Sequence, residues 1–128
     1  MKFYCLFGIL FLVLTSCANK IKTIKGDWYQ LNMGYEGEKS GHGIVSDSTQ
    51  VTIGFDKQLS IQFDYQDGYE NDKADSIQYK YPKLNFKKQN LNKSFNYYSL
   101  VYDVNCDCFN GNFKSYQGNK IKVKWVRR

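Results

Sequence analysis

Val51-Thr52-Ile53-Gly54-Phe55-Asp56-Lys57-Gln58-Leu59-Ser60-Ile61-Gln62-Phe63-Asp64-Tyr65 carries two runs of alternating apolar and polar side chains around a polar break. Successive side chains of a strand point to opposite sides. Val51, Ile53 and Phe55 therefore share one face, and Leu59, Ile61, Phe63 and Tyr65 share one face of the next run. Asp56-Lys57-Gln58 is a turn signal between them. The stretch predicts a β-hairpin with one buried and one wet face.

The same period recurs on both sides of the hairpin. Upstream, residues 28–33 form a strand candidate, and residues 34–48, rich in Gly, Ser and Glu, read as a long loop. Downstream, Asp67-Gly68 opens a polar loop reaching about Asp75. Ile77, Tyr79 and Tyr81 alternate up to Pro82, and Leu84 and Phe86 extend this strand or start the next. Residues 87–93 are polar and turn-like. Residues 95–104 are the longest candidate and are apolar on both faces, with Phe95, Tyr97 and Val101 on one and Tyr98, Leu100, Tyr102 and Val104 on the other. A candidate over 109–116 follows, then the tight turn Gly118-Asn119, then Ile121, Val123 and Trp125 alternating with Lys122 and Lys124. The pattern contains no amphipathic helix. Short, regularly spaced strands joined by hairpins predict an all-β fold, a small antiparallel up-and-down β-barrel of about eight strands. Closure of the sheet removes aggregation-prone edges.

The N-terminus is of another kind. One basic residue, Lys2, precedes an apolar run over 3–14. The run is too short to span a bilayer as a helix, which needs about 20 residues. A positive start, a short apolar run and then small residues read as a secretory signal. Leu14-Thr15-Ser16-Cys17 resembles the bacterial lipobox position by position. That resemblance implies a diacylglycerol thioether on Cys17, cleavage before it, and removal of Cys5 with the leader. Several acyl chains, at ~0.8 kcal/mol per buried methylene, anchor a protein stably where one chain is marginal. Residues 1–16 are then a signal peptide, 17–24 a lipidated Cys and tether, and 25–128 the barrel domain. Acidic residues just after such a Cys resemble a surface-export tag; Ala18-Asn19-Lys20-Ile21-Lys22 has none, which favours a domain facing the periplasm, or facing outward on a cell with one membrane.

The formal net charge is +6, and losing Lys2 leaves the mature chain at about +5. A basic balance suits nucleic acid, but an extracytoplasmic tether argues against that partner. Aromatics make up 17% of the chain, mostly Tyr and Phe, with one Pro. That composition suits pleated, half-buried surfaces.

Gly26-Asp27-Trp28 resembles the Gly-x-Trp start of the first strand in lipocalins and lipocalin-like bacterial lipoproteins. The resemblance implies a Trp28 packed across the closed base of an eight-stranded barrel, with Arg127, just after the last strand, lying over it as a cation–π partner worth ~0.5–2 kcal/mol. Read without it, Trp28 is a core aromatic and Arg127-Arg128 a solvated tail.

Cys106-Asp107-Cys108 is the strongest chemical motif of the domain. Outside the cytoplasm thiols oxidise. In an extended strand the two Cα atoms lie ~6.6 Å apart, near the upper limit for a bridge, so a disulfide requires a bend and is strained and easily reduced. A local structural disulfide, free or intermolecular thiols, and a redox or metal role all remain open. Two Cys do not make a zinc site, and His42, the one His, lies far away in sequence. Asp64, Asp67, Glu70, Asp72 and Asp75 crowd one stretch, but their spacing does not match an EF-hand and Lys73 sits among them. Ser40, Ser46 and Asp47 neighbour His42 without forming a recognisable triad. Tyr97, Tyr98 and Tyr102 are candidates for stacking on a sugar, lining a cavity, or simple core packing.

No catalytic, metal or cofactor set emerges. The sequence leads to a non-enzymatic, membrane-anchored envelope lipoprotein that binds a small apolar ligand in its barrel or serves as an envelope accessory protein. The alternative is an immunity protein or inhibitor that grips an envelope toxin or hydrolase through its loops.

Overall fold

The computed structural model describes residues 21–35, 45–65 and 72–128. Eight strands run in order around a closed barrel: β1 Gly26–Tyr35, β2 Val45–Phe55, β3 Leu59–Asp64, β4 Asp72–Lys80, β5 Lys83–Gln89, β6 Phe95–Asp103, β7 Cys108–Lys114 and β8 Lys120–Arg127. Every neighbouring pair is antiparallel, and β1 closes on β8. This is the up-and-down architecture that the alternation predicts. The β2–β3 hairpin pairs Val51 with Phe63 and Ile53 with Ile61, so the apolar faces of both runs meet inside.

Residues 21–24, which the sequence reading leaves in the tether, form a helical turn. Ile24 is fully buried there and belongs to the core. The turn closes one end of the barrel, the base, where β1 begins and β8 ends. Among the described residues no helix is long and apolar enough to cross a membrane.

Several boundaries differ from the sequence expectation, β1 and β7 by one or two residues at each end, and three others for a physical reason. β2 begins at Val45, inside the stretch read as loop, because β1 continues past its bulge and pairs Asn32 with Val45. β4 begins at Asp72 rather than near Ile77. A bulge between Asp75 and Gln78, with Ser76 at φ 52°, shifts the phase of the strand. Asp72 and Ala74 are half-buried before it, and Ile77 and Tyr79 after it, so no single period of two covers the strand. β5 runs on to Gln89, because Lys88 continues the inward series of Leu84 and Phe86. β6, apolar on both faces in sequence, buries Tyr98, Leu100 and Tyr102 and exposes Tyr97 and Val101.

Candidate functional site

The inward side chains fill the barrel. Phe63 lies 6.0 Å from Phe86, 5.6 Å from Tyr98 and 5.9 Å from Trp125, ring centre to ring centre. Phe86 stacks on Tyr98 at 4.6 Å, and Tyr98 on Phe113 at 5.0 Å. Offset and edge contacts of this kind add to the burial of the rings themselves. Tyr79 Oη, packed against this interior, has no hydrogen-bond partner among the described residues, but the indole and amide groups among the rings are paired. Trp125 Nε1 donates to Gln30 Oε1 at 3.0 Å, and Gln30 Nε2 donates to Asn32 Oδ1 at 3.2 Å. The buried aromatics therefore pack against one another through the barrel interior. Of the three tyrosines singled out, Tyr98 and Tyr102 are core and Tyr97 is on the outer wall.

The base joins the two ends of the described chain. Trp28 is fully buried, its Nε1 donating to Ile24 O at 2.9 Å. Phe109 meets it edge-on at 5.0 Å, and the Arg127 guanidinium sits 4.1 Å from its ring centre. The contact is the one the Gly-x-Trp resemblance implies. Gly26 makes it possible: its φ is 134°, and a Cβ there would fall 3.0 Å from Arg127 Nη1. Arg127 also donates to Thr23 O at 2.5 Å and Lys25 O at 3.1 Å, tying the helical turn to β8.

Cys106 and Cys108 are bridged, with Cα atoms 5.2 Å apart. The required bend is present: residues 104–107 turn, with Asp107 at φ 48°. Asn and Asp are among the residues that tolerate this region. Cys106 is exposed and Cys108 buried. The tight loop turns the Asp107 carboxylate onto Arg127, Oδ2 accepting from Nε at 2.7 Å and Oδ1 from Nη2 at 3.0 Å. Tyr102 Oη donates to Oδ1 at 2.6 Å. Asp107 is the residue that sequence reasoning missed; its signal was its place between two cysteines that share a ring.

Hydrogen bonds from Arg127 and then Tyr102 hold the Asp107 carboxyl below its ordinary value of 3.8. The stability it contributes is therefore present above that value and lost as pH falls through the lower folded value. The expected result is that wild type exceeds Asp107→Asn in urea stability at pH 7, with the difference shrinking steadily below about pH 4. A constant difference from pH 7 to pH 2 contradicts the assignment.

Away from the base, Lys88 is buried, with Nζ 3.6 Å from Asp72 Oδ2 and donating to the Tyr65 hydroxyl. Its ammonium also lies 5.0 Å from the Phe63 ring centre. Burial pushes the ammonium pKa down, against the opposing pull of Asp72. Burial likewise pushes the Tyr65 and Tyr98 hydroxyls up, and Tyr79 to about 12. Removing one partner of a buried ion pair strands the other charge. Asp72→Ala is expected to lose about 2 kcal/mol, discounted because Asp72 is partly exposed, whereas Asp72→Leu with Lys88→Met is expected to come within about 1 kcal/mol of wild type. Denaturant melts of the two variants check this.

The barrel wall is incomplete between β3 and β4. Their ladder consists of Gln62 with Lys73 and Phe63 with Asp72. Beyond it the strands part around a cleft of about 590 Å³, lined by Leu59, Ser60 and Ile61 on one side and Asp75, Ser76 and Ile77 on the other. Ser76, at the bulge in the β4–β5 pairing, lines this space.

Among the described residues, the acids of the stretch do not converge. Asp72 is half-buried and pairs with Lys88, while Asp75 is exposed, its Oδ1 accepting from Ser76 N at 2.7 Å. Among the described residues no group of His, Cys, Asp and Glu is placed to hold a metal ion. The lipobox with Cys17, and also Ser40, His42, Asp67 and Glu70, lie outside the described residues, as do the side chains of Ser46 and Asp47. Compared with family models, with curated proteins and with solved structures, the chain has no match.

Proposed function

We propose that this chain is a non-enzymatic, lipid-anchored envelope protein, tethered through Cys17 and facing the periplasm, whose barrel is a rigid module for binding another envelope protein. The observation that carries this reading is the stacking of Phe63, Phe86, Tyr98, Phe113 and Trp125 through the barrel interior. Small barrels filled in this way are scaffolds, whereas ligand carriers keep an internal cavity. Recognition then falls to the outer wall and loops. The β3–β4 cleft offers strand edges beyond a short ladder, the geometry that accepts an added extended segment.

A photo-crosslinking residue at Ser60, in cells carrying the full chain, tests this. One protein adduct of defined mass from Ser60, and none from the same residue at Asn110 of β7 on the far wall, is expected. Adducts of equal yield from both positions contradict it. A second reading, a small apolar ligand, is favoured only by Leu59, Ile61 and Ile77 in that cleft. It places the ligand in the wall, not the lumen.

A further inference from the structure

The register of β5 to β8 assembles a charged wall that no stretch of the sequence displays. On the outer face, one row across the four strands reads Lys83, Val101, Asn110, Lys124. The next reads Asn85, Ser99, Asn112, Lys122. The third reads Lys87, Tyr97, Lys114, Lys120. Half of these positions are lysine and none is a carboxylate. The bordering acids are accounted for: Asp75 lies 4.0 Å from Lys87, and Asp103 accepts from Asn105 N in the base turn. With strands ~4.8 Å apart and same-face residues ~6.7 Å apart, the wall covers about 400 Å².

The packing gives a second indication. Lys114 and Lys120 stand directly opposite each other across the β7–β8 ladder, and Lys80 and Lys83 across β4–β5. Like charges in that position weaken a sheet. A fold that keeps them has a use for the charge. Tyr97 and Val101, both exposed, stand between lysines on this wall.

We infer that this wall docks on the anionic phospholipid surface of the membrane that holds the anchor. The inference rests on the lipid-anchor reading for its choice of partner. Three residues separate Cys17 from the helical turn at the base, four chain steps with a reach of about 14 Å, so the barrel stays beside the headgroups. A gently curved wall of lysines with an amphipathic Tyr suits a planar array of phosphates, each lysine adding to the attraction. Docked this way, the barrel turns the β3–β4 cleft away from the bilayer, toward the compartment.

The test uses the chain from Ala18, which keeps every described element and has no lipid of its own. Its partitioning is measured on vesicles of phosphatidylglycerol and phosphatidylcholine and on phosphatidylcholine alone, at low salt and at 1 M NaCl. Binding to the anionic vesicles only, lost at 1 M NaCl, is expected. Lys114→Gln with Lys120→Gln and Lys122→Gln is expected to weaken it roughly a hundredfold, and Lys22→Gln with Lys57→Gln and Lys73→Gln less than tenfold. Lys120→Glu is expected to weaken binding while raising Tm, because it removes a like-charge pair. Equal loss in the two triple variants, or binding to soluble polyphosphate but not to vesicles, overturns the proposal. Detergent phase partitioning of the full chain against Cys17→Ser reports on the anchor separately, so a failure of either reading is recognised as its own.

Discussion

Gly111→Ala is expected to cost about 4 kcal/mol of stability or more. Gly111 sits in β7 opposite Leu100 of β6, and an added Cβ would fall 2.0 Å from Ser99 O and 2.9 Å from Leu100 Cα. Both are backbone atoms, so no side-chain rotation relieves the clash; the two strands must move apart. Relief by that route breaks the ladder that carries Tyr98, Leu100 and Tyr102 into the core. A loss of about 4 kcal/mol or more is large against the ~5–15 kcal/mol that holds a domain of this size. Gly54→Ala is the control. Its Cβ would meet only Ser60 Oγ, at 3.0 Å, and a serine hydroxyl can rotate. That variant is expected to stay folded within about 1 kcal/mol of wild type. Circular dichroism and thermal melts of both check the pair. A folded Gly111→Ala with a Tm near wild type contradicts the β6–β7 packing.

Trp28→Ala is expected to cost about 3–5 kcal/mol and lower Tm by about 20 °C. The indole fills the base, caps the helical turn through Ile24 O, and is the surface on which Arg127 rests. Its removal leaves a cavity beside Phe109 and frees the turn over 21–24. Trp28→Phe keeps much of the bulk and loses the hydrogen bond, so about 1–2 kcal/mol is expected. The Asp107–Arg127 pair is partly exposed to solvent, so its loss is expected to be the smaller effect. If Arg127→Met matches Trp28→Ala in a urea melt, the base is held by charge and not by the indole.

The barrel was legible because its strands alternate. Val51 to Tyr65 declares a half-buried hairpin, and hairpins in series leave closure as the way to remove edges. β4 was hidden because the bulge at Ser76 inverts its phase, and an acidic stretch with Lys73 in it looks like loop. Lys88 was hidden because a lysine inside a barrel is chemically improbable until Asp72 and Tyr65 are seen beside it. Trp28 and Arg127 were legible only through Gly-x-Trp, and the backbone at Gly26 shows why glycine is required there. The lysine wall was out of reach of any linear reading. Lys83, Lys114 and Lys122 are separated in sequence by whole strands, and only the register brings them side by side. The β3–β4 cleft is likewise a property of a ladder that stops early, which composition does not encode.

The central claim is that the barrel is filled by its own side chains and works through its outside. Native mass spectrometry of the chain from Ala18, purified gently from an envelope extract, tests it most directly. The predicted spectrum shows the bare polypeptide mass, less two hydrogens for the Cys106–Cys108 bridge. A stoichiometric apolar mass released on denaturation, and lost in variants that enlarge a lumen aromatic but not in cleft variants, would contradict the account.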